Sequence, residues 1–182
     1  MNKTSRYLII IGLVIVFIGL FVWYKSTPGH YDKLATCMKD QGVTFYGAFW
    51  CPHCKEAKQA FGKSTRLLNY VECSTPDGQS QNETCRNARI PGYPTWEFSN
   101  AVTVPQAASE KPVLCSSEEG AAIRDCQNAA DGTWYLAAAG QAFLTPAKPV
   151  AANNMWTLAP HSRAIGTTDP DTLGLLSQCT AQ

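Results

Sequence analysis

Phe49-Trp50-Cys51-Pro52-His53-Cys54 is the stretch on which the fold turns. Just before it, Val43 to Phe49 is an apolar, aromatic-rich run of strand length. Just after Cys51, Pro52 suits the first turn of a helix, where its missing N–H costs nothing, and Ala57, Ala60 and Phe61 continue an apolar helical face. Cys51 is therefore expected where a strand gives way to a helix. There its sulfur meets unpaired backbone N–H groups and the positive end of the helix dipole, both of which favour a thiolate. The three-residue offset puts Cys54 one helical turn below it. A thiolate is the attacking species in disulfide exchange, and a second sulfur at this spacing resolves a mixed disulfide formed by the first. His53 would add positive charge beside Cys51, which stabilises the dithiol and makes the disulfide a stronger oxidant.

Two other readings of the pair compete. A structural zinc site needs four ligands, and the sequence offers no second Cys-x-x-Cys and only His30, His53 and His161, so no metal is expected. A purely structural disulfide is the harder rival. The helix-start position after a strand, with Pro and His between the sulfurs, favours redox activity over it.

Working outward, Tyr31, Leu34, Ala35 and Met38 repeat at helical spacing, with Gly42 as a stop. Downstream, Tyr70 to Cys73 reads as a short strand and Ser74 to Gln81 as loop. Ser80 and Glu83 form a capping-box signature for a helix over residues 82–88. Gly92-Tyr93-Pro94 precedes a strand from Thr95 to Phe98. From Ser99 to about Pro160 the periodicity degrades, apart from a candidate helix from Glu118 to Ala129, and the segment reads as an insertion. The pattern recovers with a strand over Arg163 to Gly166. Asp169 then serves as N-cap and Pro170 as first residue of a helix bearing Leu173, Leu176 and Ser177.

Tyr7 to Tyr24 is an almost unbroken apolar run with no charge between Arg6 and Lys25. At about 1.5 Å per helical residue it crosses most of a ~30 Å hydrocarbon layer. Lys3 and Arg6 would equally serve the charged start of a cleaved signal peptide, but the run ends in Trp-Tyr-Lys and lacks a small-x-small site. An uncleaved anchor over residues 7–24 is expected, after a short tail, residues 1–6, and before a linker, residues 25–29. Residues 30–182 then suffice for one domain, with the insertion at about 99–160.

Fifteen basic residues against fourteen acidic ones leave a net charge of +1 and no basic stripe, which speaks against a nucleic-acid partner. Lys3 and Arg6 on one flank of the run and Lys25 and Lys33 on the other barely discriminate its orientation. The eight cysteines do discriminate, because their number and even count suit an oxidising compartment. The domain is expected on the extracytoplasmic side, periplasmic or extracellular.

Three separated motifs occur in order: Phe45-Tyr46-Gly47-Ala48-Phe49-Trp50-Cys51-Pro52-His53-Cys54-Lys55, Tyr70-Val71-Glu72-Cys73-Ser74 and Gly92-Tyr93-Pro94-Thr95-Trp96-Glu97. Together they resemble the thioredoxin-like domain fused to, or encoded beside, bacterial vitamin K epoxide reductase homologues. The resemblance covers roughly residues 31–98, is loose over the last strand and helix, and does not extend to the insertion. It implies an α/β thioredoxin-like fold, a central mixed sheet flanked by helices, to which the apolar run adds an N-terminal transmembrane helix and residues 99–160 an insertion before the last strand and helix. It implies a thiol-disulfide oxidoreductase with Cys51 and Cys54 as the catalytic pair and Trp50, Pro52 and His53 tuning it. Pro94 would be a cis-proline facing the pair, and the Tyr93 backbone would align an extended substrate segment. By themselves these two residues read equally as a simple turn. The chain departs from the thioredoxin pattern at Phe45, where that pattern has a buried acid. This departure disfavours a cytosolic-type reductase.

The same resemblance suggests a structural disulfide between Cys73 and Cys85, with a second redox relay as the alternative. Cys115 and Cys126 share the insertion and are candidates for pairing with each other. Elimination leaves Cys37 and Cys179, although six cysteines allow 15 pairings. The expected activity is oxidation of thiol-containing secreted proteins, with reoxidation by a quinone-linked membrane partner resembling vitamin K epoxide reductase and with no bound cofactor. A reductase or isomerase of the same fold, and a non-catalytic anchored binding module held by disulfides, remain open. The insertion is expected at the pole away from Cys51.

Overall fold

The computed structural model describes residues 3–107, 110–166 and 169–179. Residues 1 and 2 of the expected tail, and the Lys3 and Arg6 side chains, lie outside the described set. Helix α1 (Lys3–Ser26) carries the apolar run, and from Ile9 to Ser26 it is long and apolar enough to cross a membrane and is uncovered by the rest of the chain. Its last turn touches the domain through Lys63, whose Nζ donates to the Tyr24 carbonyl at 2.9 Å and stands 3.9 Å over the Tyr24 ring.

A seven-stranded mixed sheet forms the centre, in the order β2 (Asn69–Glu72), β1 (Thr44–Gly47), β3 (Thr95–Phe98), β10 (Ser162–Ile165), β7 (Gln141–Thr145), β6 (Trp134–Ala138) and β5 (Val113–Leu114). Strand β1 (Thr44–Gly47) pairs in parallel with β2 (Asn69–Glu72) and antiparallel with β3 (Thr95–Phe98). Strand β1 is shorter than the apolar run predicts, because Ala48 to Trp50 leave the ladder for a turn closed by Cys51 N–H donating to the Ala48 carbonyl at 3.0 Å.

Alternation along these strands sorts the side chains into two faces. Phe45 and Trp96, cross-strand neighbours stacked 4.2 Å apart, point to one face. Helices α2 (Asp32–Asp40), α3 (Pro52–Phe61) and α6 (Pro170–Leu176) supply Leu34, Met38, Ala57, Phe61, Leu173 and Leu176 to the core that Phe45 and Trp96 anchor. Each large side chain so buried contributes about 1.5–3 kcal/mol. On the opposite face Tyr46 and Val71 pack against Cys73, Cys85 and Ile90, around the short helix α4 (Glu83–Asn87). The cap of α4 is Asn82, whose Oδ1 accepts from Cys85 N–H at 3.1 Å, and not Ser80 as the capping-box signature predicts. Ser80 is held instead in a turn with Thr75, to which its N–H donates at 3.1 Å.

The insertion contains strands that its composition hides. Strand β4 (Val102–Pro105), β8 (Val150–Ala152) and β9 (Met155–Leu158) make a three-stranded antiparallel sheet whose Val102, Val104, Trp156 and Leu158 join the main core. Strands β5 (Val113–Leu114), β6 (Trp134–Ala138) and β7 (Gln141–Thr145) widen the central sheet beyond β10 (Ser162–Ile165). The helix expected from Glu118 to Ala129 is cut to α5 (Glu118–Ala121) and a 3-10 turn over Arg124–Cys126, because Ile123 between them is extended. The insertion also does not gather at the pole away from Cys51. Ile165 pairs with both Thr95 and Ala142, so the β6–β7 hairpin tip lies at the Thr95 end of the sheet. It stands three strands from β1, or about 14 Å sideways at ~4.8 Å per strand.

Candidate active site

The site lies where β1 ends and α3 begins. Cys51 is the N-cap of α3, in extended backbone, and Pro52 fills the first helical position. The Cys51 Sγ accepts the N–H of Cys54 at 3.4 Å, so the sulfur sits against the unpaired amides of the first turn, where negative charge is favoured. The Cys51 thiol also donates to the Tyr93 carbonyl, 3.8 Å away. Both cysteines are free thiols, with Cys51 5% and Cys54 1% exposed. Burial, followed by the hydrogen bond to Cys51, pushes the Cys54 thiol up to about 12. The outer sulfur therefore has the anion-stabilising position and the inner one is held as a thiol.

Gly47 makes this arrangement possible. A Cβ there would stand 3.0 Å from Cys54 Sγ, so the last residue of β1 must be bare for α3 to settle with Cys54 inward.

Tyr93 and Pro94 come to the pair from the opposite side, at the head of β3, and the bond between them is cis. The Tyr93 hydroxyl accepts from Gln81 Nε2 at 2.9 Å, and Thr95 Oγ1 donates to the Gly92 carbonyl at 2.9 Å, which fixes the turn. Trp50 lies beside Cys51 with its ring edge-on to Tyr93, the centroids 6.0 Å apart. Its indole N–H donates to Ser74 Oγ at 2.9 Å, yet 48% of the residue is exposed, as is 50% of Phe49. The two aromatic residues that precede Cys51 are thus half exposed to solvent. His53 is not turned to Cys51: its Nδ1 lies 3.1 Å from Glu56 Oε2, on the solvent side of α3. The imidazole that sequence reasoning sets beside the thiolate is paired with a carboxylate instead.

Glu72 is a member of the site that sequence reasoning missed. Its Oε1 accepts the N–H of Ser74 at 2.9 Å and of Phe49 at 3.2 Å, and its Oε2 accepts the Tyr70 hydroxyl at 2.7 Å. One carboxylate therefore ties the end of β2 to the loop that leads into Cys51. Neither spacing nor composition singles out Glu72, which reads simply as a polar strand residue.

The other six cysteines are paired: Cys37 with Cys179, Cys73 with Cys85, and Cys115 with Cys126. The first joins α2 to the residues after α6, the second closes the loop over the face opposite Phe45, and the third staples α5 and the 3-10 turn to β5. Among the described residues no group of three or more His, Cys, Asp or Glu side chains is arranged to hold a metal ion.

No family model matches the chain. The chain is similar to the thiol-disulfide oxidoreductase LTO1 of Arabidopsis thaliana, with 43% identity over 83 residues. The aligned part is 43% of this chain and 22% of that protein, so the chain spans about a fifth of the relative it matches.

Proposed function

We propose that this chain is a membrane-anchored thiol-disulfide oxidoreductase of thioredoxin-like fold, whose domain works on the extracytoplasmic side of the membrane and oxidises the cysteines of secreted proteins. The observation that carries the reading is the position of Cys51. A sulfur at a helix N-cap, facing a backbone carbonyl across the cleft and backed by a second, buried thiol, is arranged for two-step exchange. The likeness to a thiol-disulfide oxidoreductase supports the same chemistry. The apolar α1 and the three disulfides outside the redox pair support the location.

The cycle begins from the Cys51–Cys54 disulfide. A substrate thiolate attacks Cys51 Sγ, the Cys51–Cys54 bond breaks, and Cys54 departs with the electron pair and takes up a proton. A second substrate thiolate attacks the substrate sulfur of the mixed disulfide and expels the Cys51 thiolate, which the helix terminus stabilises. The substrate gains a disulfide and the enzyme becomes a dithiol, having accepted two electrons. A quinone-linked membrane partner resembling vitamin K epoxide reductase would accept them in turn. The Tyr93 backbone and the exposed Phe49 and Trp50 rings would border the bound substrate segment.

A second reading reverses the electron flow, making the chain a reductase or isomerase, and the pairing of His53 Nδ1 with Glu56 favours it, because the ring that would stabilise the dithiol is engaged elsewhere. The reduction potential decides between the two. An oxidant is expected toward about −120 mV, whereas a value near −270 mV overturns the oxidase reading. Cys54→Ala is expected to trap substrate on Cys51 as mixed disulfides. Failure of that variant to trap any thiol protein, with the parent pair inert to thiols, would leave a binding module.

A further inference from the structure

Cys54 must carry negative charge whenever it attacks or leaves, yet it is almost wholly buried and its thiol is pushed up to about 12. Two groups oppose this shift, the Ala48 backbone first and then the Lys58 ammonium, which is the side-chain charge of the two. Lys58 follows Cys54 by four residues on α3 and so lies on the same side of the helix. Its Nζ stands 3.4 Å from the centroid of the Tyr70 ring, well within cation–π range, and 5.9 Å from that of Phe45, at its edge. Tyr70 in turn is fixed by its hydroxyl, which donates to Glu72 Oε2 at 2.7 Å, while Glu72 Oε1 is held by two backbone N–H groups. The edge of the same ring flanks the sulfur. Tyr70 Cε2 and Cys54 Sγ lie 2.9 and 3.0 Å from one point, the position of a Cβ on Gly47.

We propose that Lys58, seated on the Tyr70 ring, is the positioning residue that stabilises the Cys54 thiolate, and that Glu72 holds Tyr70 in place for it. The proposal rests on the reading of Cys51 and Cys54 as an exchanging pair. The titratable groups that face Cys54 are Cys51 at the N-cap of α3, Lys58 on α3, Tyr70 on β2 and, at longer range, Tyr93 ahead of β3. Of these only Lys58 is cationic. Phe45, where the thioredoxin pattern has an acid, is packed between Tyr70 and Trp96 and has no charge to offer. In the resolving direction, Cys54 gives its proton to water, its thiolate attacks Cys51 Sγ of a mixed disulfide, the Cys51–Cys54 bond forms and the substrate thiolate leaves. In the oxidising direction Cys54 is the leaving thiolate. Microscopic reversibility makes the same ammonium serve both.

The test uses the full chain in detergent micelles. In a Cys51→Ala background, the ultraviolet absorption of the thiolate follows the ionisation of Cys54. Lys58→Met keeps the stem over the ring and removes the charge, and is expected to displace the ionisation upward by about one pH unit, a tenfold loss of thiolate at a given pH. Lys58→Arg is expected to restore most of it, and Tyr70→Leu, which removes the seat, to reproduce part of the loss. With both cysteines present, release of a thiol from a preformed Cys51 mixed disulfide is expected to slow about tenfold in Lys58→Met, with its pH profile displaced by the same amount. A Cys54 ionisation that stays within a factor of two of the parent in both Lys58→Met and Tyr70→Leu overturns the proposal. A displaced ionisation in a protein whose parent pair exchanges with no thiol overturns the functional reading instead and leaves the role of Lys58 standing.

Discussion

Gly47 and Cys54 meet through a side chain that Gly47 lacks: a Cβ at the end of β1 would stand 3.0 Å from the Cys54 sulfur and 2.9 Å from the Tyr70 ring. Both neighbours are anchored, Cys54 by its burial in α3 and Tyr70 by Glu72. Gly47→Ala therefore has to push α3 off the sheet or turn Cys54 outward. It is expected to cost about 1–3 kcal/mol, as overpacking does, and to slow thiol exchange. Urea unfolding and alkylation of Cys54 check both; unchanged values in both would mean that the strand end yields freely.

Burial of Cys54 predicts a pH dependence of stability that only the dithiol form shows. The folded thiol is raised to about 12, while the unfolded one titrates near its ordinary 9.0, so the stabilising contribution is complete below about 9 and is lost as pH climbs toward about 12. Reduced parent protein is expected to lose stability over that window faster than reduced Cys54→Ala. Denaturant midpoints at several pH values give the comparison, and parallel slopes would contradict it.

The Cys37–Cys179 bond spans 142 residues, against 12 for Cys73–Cys85 and 11 for Cys115–Cys126. Constraint of the unfolded chain grows with the loop closed, so the double variant Cys37→Ala/Cys179→Ala is expected to lose most, about 4–5 kcal/mol, with about 3 kcal/mol for either short loop. The order of melting temperatures among the three double variants is the measurement.

Asp169 caps α6: its Oδ1 accepts the N–H groups of Asp171 at 3.1 Å and Thr172 at 3.0 Å, and its Oδ2 the Thr172 hydroxyl. The Thr172 hydroxyl and the N–H groups hold its carboxyl below the usual range. Its contribution is therefore present above the ordinary carboxylate pKa of about 4 and is lost as pH falls below it. Asp169→Ala is expected to cost about 1 kcal/mol at neutral pH and less in acid, whereas Asp169→Asn keeps the cap without the pH dependence. Thermal melts at pH 7 and pH 3 separate these outcomes.

Local signals were legible because their causes are local. Pro52 after Cys51, Pro170 after Asp169, the helical repeat through Leu34 and Met38, and the uncharged run from Tyr7 to Tyr24 each act within a few residues of the structure they specify. The insertion was illegible for the opposite reason. Its strands are two to five residues long and rich in Ala and Thr, and they exist because β7 finds β10 and β4 finds β9. Such pairings are stabilised by partners distant in sequence, which leave no period in the chain itself.

The same division runs through the site. The sequence by itself determined that Cys51 would cap a helix with Cys54 one turn below, because backbone geometry and a three-residue spacing suffice for that. Only the tertiary structure decided what surrounds the two sulfurs. It set the Tyr93 carbonyl 3.8 Å from Cys51, paired His53 with Glu56, and drew Glu72, Tyr70 and Gly47 around the loop. The environment that sets the acidity of a buried thiol comes from separate strands brought together by folding, and spacing along one chain does not record it.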